Sequence, residues 1–220
     1  MSCLYLDSSR KHLKIALAHF GKFFVRENLE NNHNETLLPC LQSLLIESRS
    51  TSLDIDRAIV VNGPGSFTGL RITTSFIHAA SLVVNLKVLP IDQLTLIAAA
   101  DRNRIRKNRT VVMDARMNEV YLASGLINEK NPSFEKIRLT SLECLPEEKE
   151  DWICHSEEQS FAQSIGVSVL VTPSIYDLEM VASWHDQSDW ILGNELKPLY
   201  VRDEVSWKPL TEQPSQLSDG

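Results

Sequence analysis

Ala58-Ile59-Val60-Val61-Asn62-Gly63-Pro64-Gly65-Ser66-Phe67-Thr68-Gly69 is an apolar run that breaks into a glycine and proline turn. Its apolar, β-branched start suits a buried strand over 58–61, and Gly63-Pro64-Gly65-Ser66 is a turn that those residue types enter easily. From Phe67 the apolar residues recur at helical period, so the stretch predicts strand, turn and a helix over 67–86. Upstream, short strands are expected over 4–7, 13–18 and 22–28, with Phe20-Gly21 turning the last two into a hairpin. A helix over 34–49 follows, with Asn34 as its N-cap and Pro39 bending it near its start. Downstream come a strand over 87–91, a helix over 94–101 and a strand over 110–113. This β-β-β-α-β-α-β-α order implies an α/β fold, a mixed sheet covered by helices. The second half reads as strands over 120–126, 135–139 and 167–171 and a helix over 175–185. Two lobes are expected, 1–109 and 110–220.

The chain has 220 residues, 43% of them hydrophobic, which supports an ordinary core and excludes a disordered or fibrous protein. No apolar run reaches the length of a membrane span and the N-terminus lacks the pattern of a signal peptide, so a cytoplasmic protein without membrane attachment is expected. Cys3, Cys40, Cys144 and Cys154 are widely spaced and predict free thiols; the six histidines show no metal-binding spacing. A net charge of −7 disfavours direct binding to a phosphate backbone. The cluster Arg102, Arg104, Arg106, Lys107 and Arg109 reads as a solvated helix end in preference to a tRNA-binding patch. The acidic stretch 143–158 reads as a solvated loop.

Residues 63–69 could cradle an anion at a helix N-terminus or be a tight structural turn; no Lys-Ser or Lys-Thr pair follows the glycines, so this is not a Walker loop. Asp7-Ser8-Ser9 and Asp114 end strands, where they suit a nucleotide or anion contact or simply cap turns. The helix over 67–86 has apolar side chains over an arc of about 220°. Either it is sandwiched in its own core, or one flank is an uncovered strip for a partner helix, with the leucines of helix 34–49 beside it.

The run Gly63 to Ile72 resembles the signature of the TsaB (YeaZ) family of tRNA threonylcarbamoyladenosine biosynthesis. Similarity continues in Asp114-Ala115-Arg116-Met117-Asn118-Glu119-Val120-Tyr121, in residues 33–39, in Pro198-Leu199-Tyr200-Val201-Arg202 and in Val205-Ser206-Trp207-Lys208; residues 127–195 match weakly. The resemblance implies an actin-like, sugar-kinase-like fold of two ribonuclease-H-like lobes. It also implies a non-catalytic subunit that binds the paralogue TsaD, which TsaE joins, so that tRNA is reached through partners and ATP and Mg are used by the complex. No cofactor is expected on this chain alone. The family's helix-bundle contact favours the strip reading, with Leu37, Leu41, Leu44, Leu45, Ile72, Phe76, Ala79, Ala80, Val83 and Leu86 as the expected interface, which would also serve a homodimer. Thr73-Thr74, Asn118 and Cys154-His155-Ser156 stand where relatives commonly have glycine, so independent ATP hydrolysis is not expected. An ATP-dependent phosphotransferase using Asp7 and Asp114 is the alternative.

Overall fold

The computed structural model describes residues 2–29, 32–101, 108–126 and 133–202. In chain order the larger elements are β1 (Ser2–Asp7), β2 (Leu13–His19), β3 (Lys22–Leu29), α1 (His33–Ser48), β4 (Ile55–Gly63), α2 (Phe67–Ser81), β5 (Lys87–Asp92) and α3 (Gln93–Ala100). The second half supplies β6 (Asn108–Arg116), β7 (Glu119–Leu126), β8 (Ser133–Phe134), β9 (Arg138–Ser141), β10 (Trp152–His155), α4 (Gln159–Ser164), β11 (Val169–Val171), α5 (Ile175–Ala182) and β12 (Ile191–Leu192).

They form two mixed sheets. The first has the order β12-β5-β4-β1-β2-β3, with β1, β4 and β5 parallel and the hairpins antiparallel. The second has the order β11-β10-β6-β7-β8, with β9 also on β7. Strand alternation sends Leu4, Leu6, Ile15, Leu17 and Val60 to one face of the first sheet, against Leu37, Leu41 and Leu44 of α1 and Ile77 of α2. Tyr5, Ala16, Ile59, Val61 and Leu89 face the other way, onto α3 and α5. Both faces are covered, which is why these strands read as nearly unbroken apolar runs.

Helix α3 sits between the sheets. Its Leu96 and Ala99 pack on the first sheet, while Leu94, Ile97, Ala98 and Ala100 pack on the second beside Val111, Met113 and Ile153. A helix apolar all round is one with neighbours all round.

Several expectations change here. Sheet membership does not follow a cut at residue 109: α5 and β12 return to the first sheet, so 110–220 is not one lobe by packing. Helix α2 stops at Ser81, five residues short of the expected end; the chain unwinds through 82–86 and this drops Leu86 into the core at 3% exposure. Residues 143–158 are not wholly a solvated loop, because β10 lies within them with all four of its residues buried. Arg109 is buried, its guanidinium 2.6 Å from Asp101 and 3.1 Å from Asp151, while the rest of the basic cluster, 102–107, lies outside the described residues. Val205-Ser206-Trp207-Lys208 lies outside them too. Among the described residues no helix is long and apolar enough to cross a membrane, and no group of three or more His, Cys, Asp or Glu could hold a metal ion. The four cysteines are free thiols.

Candidate functional site

Two surfaces stand out: a cleft between the sheets and a groove between α1 and α2. The cleft, about 590 Å³, is lined by the β1–β2 hairpin (Ser9, Arg10, Lys11), the α2 N-terminus (Gly65, Ser66, Thr68), the end of β6 (Asp114, Ala115, Arg116) and Glu157 and Glu158. It holds both signs of charge.

The glycine turn is shaped by packing on β1. A Cβ on Gly69 would come within 1.9 Å of the Ser8 carbonyl oxygen, and one on Gly65 within 2.3 Å of the Ser9 carbonyl oxygen. The Ser66 N–H donates to the Ser9 carbonyl at 2.7 Å, and the Ser66 hydroxyl caps α2 by accepting from the Gly69 N–H at 3.2 Å. Only glycine lets the two backbones approach so closely.

Asp7, Ser8 and Ser9 are each at most 1% exposed, and most of their polar atoms are engaged internally. The Ser8 hydroxyl lies 2.8 Å from the Gly69 carbonyl and 2.5 Å from Thr73 Oγ1. Asp7 Oδ1 accepts from the Ser9 N–H at 2.9 Å, and the Ser9 hydroxyl bridges Asp7 and the Gln93 amide at 2.6 and 2.7 Å. Asp7 Oδ2 is buried without a hydrogen-bond partner among the described residues. Of these three residues only Ser9 lines the cleft, and there it is joined by Asp114. Asp114 Oδ1 accepts from the Arg116 N–H at 2.7 Å, and its other oxygen pairs with the Arg116 guanidinium at 2.9 Å. It therefore caps the β6–β7 turn, where Arg116, Met117 and Asn118 all have φ near +60°. Asparagine takes that conformation at lower cost than most residues, so Asn118 fits where glycine would.

Cys154 and His155 end β10, and Ser156 opens the single 3-10 turn that carries Glu157 and Glu158. His155 is buried, and its Nδ1 accepts from the Glu157 N–H at 3.1 Å. Burial first, then the charges of Arg10 and Lys14, push its pKa down to about 3, so the ring is neutral. Arg10 and Glu158 form an ion pair across the cleft. Sequence reasoning missed both residues: Arg10 directly follows Asp7-Ser8-Ser9, and Glu158 stood in the stretch assigned to solvent.

The groove between α1 and α2, about 660 Å³, is lined by Leu37, Leu38, Phe67, Ile72, Phe76 and Ala79 together with Asn34, Thr68, Arg71 and Ser75. Of the ten expected interface residues, Leu41, Leu44 and Leu86 belong to the core at 0–7% exposure and do not line the groove, which corrects their assignment to an open strip; Leu37 is also in the core but does line the groove. Leu45, Ile72, Phe76 and Ala80 are half-buried against that core, and Ala79 and Val83 are exposed. The strip omitted residues that face outward: Leu38 (60%), Ile46 (71%), Phe67 (55%) and Leu82 (87%). A helical period shows which side chains of one helix are apolar and does not separate the face that the sheet takes from the face left over. Arg71 lies over the Phe67 ring at 3.8 Å and Tyr200 packs beside it, so the chain's return after β12 borders the groove.

The family model for TsaD, tRNA N6-adenosine threonylcarbamoyltransferase, matches residues 16–135. The chain is 29% identical to the tRNA threonylcarbamoyladenosine biosynthesis protein TsaB of Haemophilus influenzae, over 96% of this chain and 97% of that protein. It is 24% identical to TsaB of Escherichia coli K12, over 96% and 98% of the two chains. Among solved structures, YeaZ from Pseudomonas aeruginosa superposes with a TM-score of 0.75 at 22% identity, covering 90% of this chain and 99% of that one. A second structure, described as similar to peptidase YEAZ from Pseudomonas aeruginosa, gives 0.77 at 22% identity, covering 91% and 99%. The fold is thus the two-sheet fold of YeaZ, and the chain belongs to the threonylcarbamoyladenosine-biosynthesis family described by the TsaD model, within which its curated relatives are TsaB proteins.

Proposed function

We propose that this chain is a non-catalytic, cytoplasmic subunit of the machinery that adds threonylcarbamoyl to the tRNA adenosine beside the anticodon. It docks TsaD through α1 and α2, TsaE joins the pair, and tRNA, ATP and Mg are handled by the complex. The observation that carries this reading is the apolar groove between the two helices, lined in part by exposed Leu38 and Phe67; Val83, past the end of α2, is exposed as well. Burying each of these partly exposed side chains would contribute at most about 1.5–3 kcal/mol, which offsets part of the cost of association. The same surface would serve a homodimer of the isolated chain.

The test is size-exclusion chromatography with light scattering on the chain alone and mixed with TsaD of the same organism. Leu38→Asp and Val83→Asp change residues that are 60% and 71% exposed, so the fold should be unaffected while the mixed complex is lost. Survival of the complex in both variants would refute the docking face. Leu45 is less informative, because it also packs on the core.

The phosphotransferase alternative draws on Asp114 facing the cleft. It requires ATP binding by the isolated chain that disappears in Asp7→Ala, which calorimetry measures directly.

A further inference from the structure

The β1–β2 hairpin and the end of β6 belong to different sheets, and one carboxylate joins them. Glu158 Oε1 accepts from the Arg10 guanidinium, and Oε2 accepts from the Asp114 backbone N–H at 3.0 Å. The Cys154 thiol approaches the same Oε2 at 3.6 Å, and burial followed by the Glu158 charge keeps that thiol protonated by raising its pKa to about 12. Beside it, Glu157 Oε2 accepts from the Lys11 backbone N–H at 3.3 Å. A guanidinium with backbone N–H groups from two loops is a donor set suited to a phosphate oxyanion. Here the chain's own carboxylates fill it.

The set retains spare capacity. Arg10 is 9% exposed, and its Nε and Nη2 have no hydrogen-bond partner among the described residues. The α2 N-terminus opens on the same cleft through Gly65, Ser66 and Thr68. The turn that delivers the carboxylates is fixed from beneath: the His155 ring accepts from the Glu157 N–H at 3.1 Å, and Ser156 Oγ lies 2.6 Å from Thr172 Oγ1.

We propose that Glu158 is an internal counter-anion occupying an oxyanion site in the cleft. Its carboxylate takes the donors that the phosphate oxygens of a nucleoside diphosphate would use, and it joins the two sheets as such a ligand would. The wild-type chain therefore resists phosphate-bearing ligands at this place until Glu158 is displaced. The inference concerns the isolated chain and is independent of docking to TsaD.

The test is calorimetry with ADP and, separately, inorganic phosphate on the wild type, Glu158→Ala and the double variant Arg10→Ala/Glu158→Ala. Glu158→Ala should bind both ligands at least about tenfold more tightly than the wild type, and the gain should vanish in the double variant. Equal affinity in wild type and Glu158→Ala, including binding by neither, would overturn the proposal. So would binding of ADP without phosphate, or a gain that survives loss of Arg10, since the ligand would then sit elsewhere. Should the alanine variant not fold, Glu158→Gln keeps the volume and removes the charge, and the same comparison decides. On the wild type, protection of the Asp114 amide from hydrogen exchange is expected; an Asp114 amide that exchanges as freely as an unstructured one would also overturn the bridging role.

Discussion

Replacing Gly69 with alanine separates a glycine held by packing from one held for ligand approach. The added Cβ would lie 1.9 Å from the Ser8 carbonyl oxygen and 3.0 Å from both the Ser8 carbonyl carbon and His33 Nδ1. An ordinary carbon–oxygen contact needs about 3.3 Å, so β1 and α2 must separate locally by more than about 1 Å. No rotamer change relieves this, because the obstacle is main chain. Overpacking of this kind costs about 1–3 kcal/mol, and the backbone clash places Gly69 at the upper end. Alanine returns about 1 kcal/mol of helix propensity. A net loss of about 2 kcal/mol remains, which in a chain of this length lowers Tm by about 4–8 °C. Thermal unfolding followed by circular dichroism measures it, with Ser75→Ala as a control expected to stay within about 0.5 kcal/mol because Ser75 is exposed on the same helix. A Gly69→Ala protein melting within about 1 °C of the wild type would refute the packing account and return the glycine turn to the role of an open cradle.

Other outcomes follow from the same geometry. His155 binds a proton in the folded protein only near pH 3, whereas the unfolded chain protonates it near 6.5; the unfolded state therefore holds more protons between these values, and stability falls as pH drops through that window. The slope from this residue approaches about 1.4 kcal/mol per pH unit, so His155→Asn should flatten the acid limb of a stability-versus-pH curve, and an unchanged limb counts against the buried neutral ring. Arg109→Ala should destabilise by about 3 kcal/mol or more in urea titrations, because Asp101, 3% exposed, loses its guanidinium partner; a change under about 0.5 kcal/mol would return Arg109 to the solvated cluster of the sequence reading. Leu38→Asp should leave Tm unchanged while removing the complex with TsaD.

The parallel unit β4-turn-α2-β5 was legible because it is encoded locally, in an apolar run, a glycine and proline turn and a helical period. So were the first hairpin and α1, although α1 starts one residue before the expected Asn34, with Asn32 as its N-cap. The second half was harder. Its strands β8, β9 and β12 have two to four residues each, too few for a period to show, and β10 is a four-residue apolar island in an acidic stretch.

Of the residues that the sequence reading offered as nucleotide or anion contacts, Ser9 and Asp114 line the cleft, and of those it offered as a partner interface, Leu37, Ile72, Phe76 and Ala79 line the groove. That reading misassigned Leu41, Leu44 and Leu86, since hydrophobicity says that a side chain leaves water without saying against what. By itself the sequence determined the α/β class and the order of the early elements, because local periodicity and turn chemistry encode these, while the family was legible only as a resemblance of motifs such as Gly63 to Ile72. Only tertiary structure decided that Glu158 meets Arg10, that α5 and β12 rejoin the first sheet, and which apolar side chains of α1 and α2 remain uncovered. Each is a contact between residues distant in sequence, and those are fixed by how the sheets and helices stack rather than by any pattern within one segment.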